Sequence, residues 1–287
     1  EEINQLTFYQ KIAQKKIINN IFSYYTVNNS SYPVWNFIKC KQIKKYLIMD
    51  SVNDFYPISI ENSDLKTTDK KSSLKILKYL NFDNLIAPDL IAKKILQSHT
   101  NSKIIINKKV FFNFNNKSVQ LANKYNICIF DSNSTNFNYT DFLEDDQNYI
   151  KQQSFENILI FIEDILKVVK KINLKLNIKI NCYIKSKHSS IYKKSIKKKS
   201  IRRLKRKYNF FYVLDDDTNI EKLFPKFKTV ISIPFTSPSH FFSVNTNRKS
   251  IYYDNLNMIK KNHLFKKTLL INNKKNLEKN ILKLIKC

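Results

Sequence analysis

From residue 122 onward the sequence alternates short apolar runs with longer stretches of helical period, and no other feature constrains the fold as much. Six runs read as buried strands: Tyr125 to Phe130 (YNICIF), Ile178 to Ile184 (IKINCYI), Asn209 to Leu214 (NFFYVL), Thr229 to Ile233 (TVISI), Ser250 to Tyr253 and Thr268 to Ile271. Between the first two, Phe155 to Ile172 places Ile158, Ile160, Phe161, Ile165, Leu166 and Val169 at the spacing of one helix face. A basic helical stretch ends near Lys207, and a short helix is expected from Asn219 to Phe224. Another helix follows the turn at Pro234 to Ser239 and runs to about Val244, and a last one spans Lys275 to Ile285. Strands joined by helices predict right-handed βαβ units, and so a parallel sheet covered on both faces. The expectation for residues 122–287 is therefore an α/β, doubly wound, Rossmann-like domain.

Residues 1–121 are less regular and read as a second, smaller or incomplete α/β domain. Ile3 to Tyr24 has apolar residues at roughly helical spacing, and Lys45 to Met49 is a strand ending at Asp50. Helices are expected at Ser73 to Leu80 and at Pro88 to Gln97, the second with Pro88 near its first turn. Lys103 to Ile106 is a β-branched strand, which Val110 to Phe112 can extend.

The 287 residues contain no glycine, where an average composition would supply about twenty. P-loop and GxGxxG phosphate cradles are excluded outright. Asparagine tolerates the left-handed region best after glycine, so Asn28-Asn29, Asn115-Asn116 and Asn272-Asn273 are candidates for tight turns.

Lys and Arg number 51 against 23 acidic residues, a net charge of +28. A nucleic-acid partner is not expected from this, because only Arg202, Arg203, Arg206 and Arg248 are arginine. A dedicated reader would use the guanidinium fork. The excess of Lys, Asn, Ile and Phe is what AT-biased codons produce. Residues 193–207 hold ten Lys/Arg in fifteen. They read as a solvated helix face before a nucleic-acid stripe, and contact with an anionic membrane surface is a third fit. No apolar run approaches eighteen residues, and no signal segment opens the chain. The first residue is Glu1, which suits a processed or partial chain. Cys40, Cys128, Cys182 and Cys287 are too scattered for a zinc site or a disulfide framework and suit a reducing cytoplasm.

Ligands of doubly wound sheets sit beyond the carboxyl ends of the strands. Four loops fall there: Asp131 to Thr140; Lys185 to His188; Asp215 to Thr218; and Pro234 to His240. Lys185 and Lys187 are cations suited to a diphosphate, or simply solvated lysines. Asp217 or Thr218 reads as a helix cap before it reads as catalytic. Thr236 and Ser237 serve equally as N-caps or as phosphate ligands at a helix N-terminus. His240 has no partner legible in the sequence.

The segment VISIPFTS at 230–237, followed after a helix by SIYYD at 250–254, resembles the bacterial PFTS-motif polysaccharide-biosynthesis proteins. The likeness extends to IFD at 129–131, ENILIFIEDIL at 156–166, the basic segment after Ile184 and VLDDD at 213–217, so it covers about residues 122–287. Where that family carries approximately GKPSIYYD, Asn247-Arg248-Lys249-Ser250 precedes the tyrosines here. Its loop after Phe130 is associated with basic residues, and this one has none from Ser132 to Thr140. The resemblance implies a GT-B-like glycosyltransferase, with a nucleotide-sugar donor in a cleft between the domains and a glycan or lipid-linked glycan acceptor. It implies no cofactor beyond the donor substrate, no metal, and a cytoplasmic location, in the interior or peripheral at the inner face of the membrane. The donor-binding residues it points to are Lys185, Lys187, Pro234, Phe235, Thr236, Ser237, Tyr253 and Asp254. No catalytic base is assigned; Asp50 and Asp54 have only their position after a strand in their favour.

Overall fold

A computed structural model describes residues 11, 19–25, 42–49, 76–107, 125–131, 154–185, 191–214, 223–234, 238–259 and 267–286; the side chains of 24, 25, 49, 76, 191–198 and 286 are not described. The chain divides into two compact units, one from Glu1–Pro57 with Lys66–Asn113 and the other from Ile58–Leu65 with Phe114–Cys287.

The first unit holds a parallel four-stranded sheet in chain order: β1 (Asn20–Tyr25), β2 (Lys44–Met49), β3 (Asn84–Ala87) and β4 (Lys103–Ile106). The helix expected to reach Tyr24 is therefore a strand over its last residues. NIFSYY is β-branched and aromatic, and it alternates as a strand does, with Ile21 and Ser23 buried and Phe22 exposed. Between β3 and β4 lies α1 (Leu90–Leu96). Asp89, not Pro88, begins it: the Asp89 carboxylate accepts from the Ile91 and Ala92 N–H groups at 2.8 and 2.9 Å. Of the helix expected at Ser73 to Leu80, the described part is a 3-10 turn at Ile76–Lys78. Val110 to Phe112, Asp50 and Asp54 lie outside the described residues.

The second unit is a parallel six-stranded sheet made of the six runs read from the sequence: β5 (Asn126–Phe130), β6 (Asn181–Lys185), β7 (Phe211–Val213), β8 (Thr229–Ser232), β9 (Ser250–Tyr253) and β10 (Thr268–Ile271). Its spatial order is β10-β9-β8-β5-β6-β7. The chain thus starts in the middle, steps outward twice to β7, returns to the other side of β5 as β8, and steps outward twice more. That is the 3-2-1-4-5-6 order of a dinucleotide-type doubly wound sheet.

Each strand feeds a helix or turn that covers one face. On one face α2 (Phe155–Leu176), α3 (Ile191–Lys207) and α5 (Lys274–Lys286) share a core. Ile158, Phe161, Ile165, Val169 and Ile172 of α2 meet Ile127, Ile129, Ile184, Ile231 and Ile251 of the sheet there. Ile160, expected on this stripe, is 52% exposed, one residue off the 3.6 repeat that buries Phe161. The opposite face carries Cys128, Phe130 and Val230, covered by the 3-10 turn Phe224–Lys226 and by Phe242 of α4 (Pro238–Thr246). Residues 219–222 of the helix expected before Phe224 are outside the described set. Cys128 and Cys182 belong to opposite faces, so their neighbouring strands do not bring the two thiols together.

Among the described residues three asparagines stand at positive φ: Asn177 (49°), Asn247 (60°) and Asn257 (54°). Asn177, in the left-handed conformation, stops α2 after Leu176, four residues beyond the end read from periodicity. Asn247 follows α4 in the left-handed conformation, at the point where the sequence motif would carry glycine. Asn272 and Asn273 do not take this role. Asn273 instead accepts from the Asn276 N–H at 2.8 Å and caps α5. Asn28-Asn29 and Asn115-Asn116 are outside the described residues.

Candidate functional site

In a sheet of this order the strand connections diverge at one place, between β5 and β8. From β5 the chain leaves toward α2 on one face; from β8 it leaves toward α4 on the other. A crevice must open at the carboxyl edge there. β8 ends at Ser232, the Ile233 N–H still donates to the Phe130 carbonyl at 3.4 Å, and Pro234 follows, buried. The motif that begins with Pro234 therefore starts at the lip of this crevice, opposite Asp131 at the end of β5. Phe235, Thr236 and Ser237 lie outside the described residues, as do Lys187, Ser186, His188 and Asp215 to Thr218.

Charged groups gather at this edge. Asp131 is 2% exposed after β5, Lys185 is 6% exposed at the end of β6 in register with Phe130, and Asp254 is fully buried after β9. The Lys185 cation reaches the field of Cys128. Burial pushes that thiol well up, Cys182 adds to the shift, and Lys185 opposes it.

The YYD run works on both faces. Alternation along β9 sends Tyr253 toward α2 and Tyr252 toward α4. The Tyr253 hydroxyl donates to Asp164 Oδ2 of α2 at 3.1 Å, and Lys274 at the start of α5 holds Asp164 Oδ1 at 2.8 Å. Burial raises the Tyr253 phenol, and the Asp164 charge raises it further. Tyr252 is also raised by burial, with a hydrogen bond from the His240 backbone in the first turn of α4 acting the other way. Asp254 closes the loop behind them: its Oδ2 accepts from the Ile259 N–H at 2.7 Å, and its own N–H donates to the Ile271 carbonyl at 2.7 Å. Asn255 then donates to Asn157 Oδ1 near the start of α2. Tyr253 thus ties β9 to α2 and Tyr252 ties it to α4, while Asp254 ties the loop after β9 to β10.

α4 approaches the sheet through serines. Ser239 accepts from the Ser232 hydroxyl and donates to the Ile251 carbonyl, both at 2.7 Å. Ser243, one turn later, lies 3.0 Å from the Thr268 hydroxyl. Small side chains that satisfy their own hydrogen bonds permit the close approach that a missing Cβ gives elsewhere. His240 is buried among these contacts, beside Phe241.

The arrangement suits an anion. Two helices, α2 capped by Ser154 (which accepts from the Asn157 N–H at 3.1 Å) and α4, begin at the same sheet edge as a buried lysine. Among the described residues no cluster of three or more His, Cys, Asp or Glu could hold a metal ion. The role of Asp164 and Asn157 was not drawn from the sequence, although both are polar residues standing on the apolar stripe of α2.

The fold is α/β and GT-B-like, with a Rossmann-like sheet in the second unit. Over residues 3–281 the chain matches the family described as polysaccharide biosynthesis PFTS motif protein, and it belongs to that family. The match is wider than the 122–287 suggested by the motifs alone. No curated protein matches it. Among solved structures, the glycosylation-associated protein complex Gap123 of Streptococcus agalactiae is similar with a TM-score of 0.53 and 11% identity, over 98% of this chain and 51% of that one. Accessory secretory protein 1, 2 and 3 of Streptococcus pneumoniae gives 0.55 and 9%, over 99% and 51%. S. aureus TarM, solved with fondaparinux, α-GlcNAc-glycerol and UDP, gives 0.49 and 17%, over 98% and 52%. The chain spans about half the length of these structures. Among the described residues no helix is long and apolar enough to cross a membrane.

Proposed function

We propose that this protein transfers a sugar from a nucleotide-activated donor to a glycan or lipid-linked glycan acceptor, with the donor diphosphate held at the β5–β8 crevice. The observation that carries the reading is the position of the family's own motif, which starts at Pro234 on the lip of the switch point where doubly wound sheets bind ligands. In this reading Lys185 and Lys187 supply positive charge, and Pro234, Phe235, Thr236 and Ser237 meet the diphosphate. Tyr253 and Asp254 act from behind, as positioning residues for the crevice walls. Charge developing on the leaving diphosphate would be balanced by helix N-termini and lysines, with no cofactor beyond the donor itself.

The test is a thermal-shift screen of the full chain against UDP, GDP, CDP and CMP at about physiological ionic strength. A nucleotide at roughly 100 times its Kd stabilises by about 2.7 kcal/mol, which is about 5–11 °C for a unit of this size. The expected result is a shift for one nucleotide that Thr236→Ala with Ser237→Ala removes. A folded protein that none of the nucleotides shifts would sink the reading in favour of a non-catalytic relative.

A further inference from the structure

We propose that α3 is a docking surface for an anionic phospholipid membrane. The helix has two distinct sides over its described side chains. Ile201 and Leu204, with Tyr208 beyond them, turn into the core against α2 and the sheet. Lys199, Arg202, Arg203 and Arg206 are exposed and fall at i, i+3, i+4 and i+7, so they form one stripe. Lys205 and Lys207 flank it.

Three observations separate this stripe from the diffuse positive charge of the whole chain. First, three of the four arginines in a chain with 51 Lys and Arg lie within five residues of this helix. Guanidinium binds phosphate through two parallel hydrogen bonds, which lysine does not. Second, the stripe is not neutralised from within. Lys207 has Glu163 at 2.7 Å, whereas Lys199, Arg202, Arg203, Lys205 and Arg206 meet no carboxylate among the described residues. On α2 and α5, Lys167, Lys171 and Lys274 are paired with acids, whereas Lys170, Lys175, Lys275, Lys279 and Lys283, single lysines without an arginine among them, meet none among the described residues. Third, α3 joins β6 to β7, and β7 is the last strand of the sheet, so the stripe lies at the outer flank of its unit. Cations near a helix C-terminus complement its dipole. That accounts for Lys205, Arg206 and Lys207, but not for Lys199, Arg202 and Arg203.

The chemistry fits a plane of lipid phosphates better than a duplex. The apolar side of α3 is already committed to the core, so the helix rests on a surface rather than inserting. The stripe also carries no Asn or Gln to read base edges, in a chain otherwise rich in asparagine.

The test is sedimentation of the full chain with vesicles of phosphatidylglycerol in phosphatidylcholine at about 0.15 M salt. Two variants are compared with the wild type. One is Arg202→Gln with Arg203→Gln and Arg206→Gln. The other removes equal charge from exposed positions of α5, by Lys275→Gln with Lys279→Gln and Lys283→Gln. Each basic residue at an anionic surface contributes about five-fold in partitioning, so the α3 variant should bind roughly 10²-fold less well. The α5 variant should change a few-fold at most, and pure phosphatidylcholine should bind neither. Equal losses in both variants, or wild-type binding by the α3 variant with its melting temperature unchanged, would overturn the proposal. A short DNA duplex that binds more tightly than the vesicles at the same salt, through the same arginines, would overturn it in favour of nucleic acid. Vesicle binding is read without nucleotide, so it stands or falls separately from the donor site.

Discussion

Replacing Tyr253 with phenylalanine removes one oxygen from the junction of β9, α2 and α5. Its ring stays packed against Phe161, with centroids 6.0 Å apart, so the change leaves packing intact. What disappears is a hydrogen bond of 3.1 Å to a carboxylate that is 5% exposed. Hydrogen bonds to charged groups contribute about 1.5–3 kcal/mol. Asp164 keeps Lys274 at 2.8 Å, which limits the cost of the vacated lone pair, and about 2 kcal/mol is expected. In a unit of this size that lowers the melting temperature by about 4–8 °C. Differential scanning calorimetry or far-UV circular dichroism is the right assay, because the single tryptophan is Trp35, outside the C-terminal unit. Tyr79→Phe, at a site 81% exposed, is the control and should shift nothing measurable. A cycle with Asp164→Asn should show coupling of about 1–2 kcal/mol between the two positions. Additive effects in that cycle, or a Tyr253→Phe protein that melts with the wild type, would refute the idea that β9 fastens α2 through this bond.

Other outcomes follow from the same contacts. Burial holds the Tyr252 and Tyr253 phenols above their ordinary value of 10.0. A raised folded value means that the stabilisation is complete below about pH 10 and is lost as pH rises toward the folded values. Urea midpoints should therefore fall above about pH 10, and less steeply in Tyr253→Phe; a flat alkaline profile would count against both. Ser239→Ala leaves the Ser232 hydroxyl without its acceptor and should cost about 1–3 kcal/mol in chemical denaturation, with a neutral result showing that α4 does not depend on this bond. Cys128 and Cys182 are fully buried with thiols pushed up by burial, so a Cys40→Ser, Cys287→Ser protein should react with a thiol reagent only on unfolding. Labelling of the native protein at a free-thiol rate would contradict that burial.

All six strands of the C-terminal sheet were legible within about three residues, because each is a continuous apolar run that a doubly covered parallel strand requires. Their spatial order was not, since pairing between β5 and β8 joins residues about a hundred positions apart and leaves no local trace. That order decides which of the four carboxyl-end loops face each other, so the loops were visible and the crevice was not. β1 was misread because the apolar density from Ile3 to Tyr24 satisfies a helical spacing as readily as an alternating one. The opposed directions of Tyr252 and Tyr253 were implicit in the strand, since neighbours on a strand point apart. Asp164 carried its own signal: it stands three residues after Phe161 and four before Val168, where a carboxylate on an apolar stripe calls for a partner.

The asparagines at Asn177, Asn247 and Asn257 also bear on the unfolded protein. Holding a left-handed backbone without glycine costs about 1–2 kcal/mol at an ordinary residue, and asparagine bears it most readily. A residue with a side chain, however, loses less conformational entropy on folding than glycine does, by about 0.4–1 kcal/mol. At those three turns the two effects oppose each other. At the other described positions only the second operates. The denatured ensemble of this chain is correspondingly narrow, and the same buried surface holds it folded against a smaller loss of disorder.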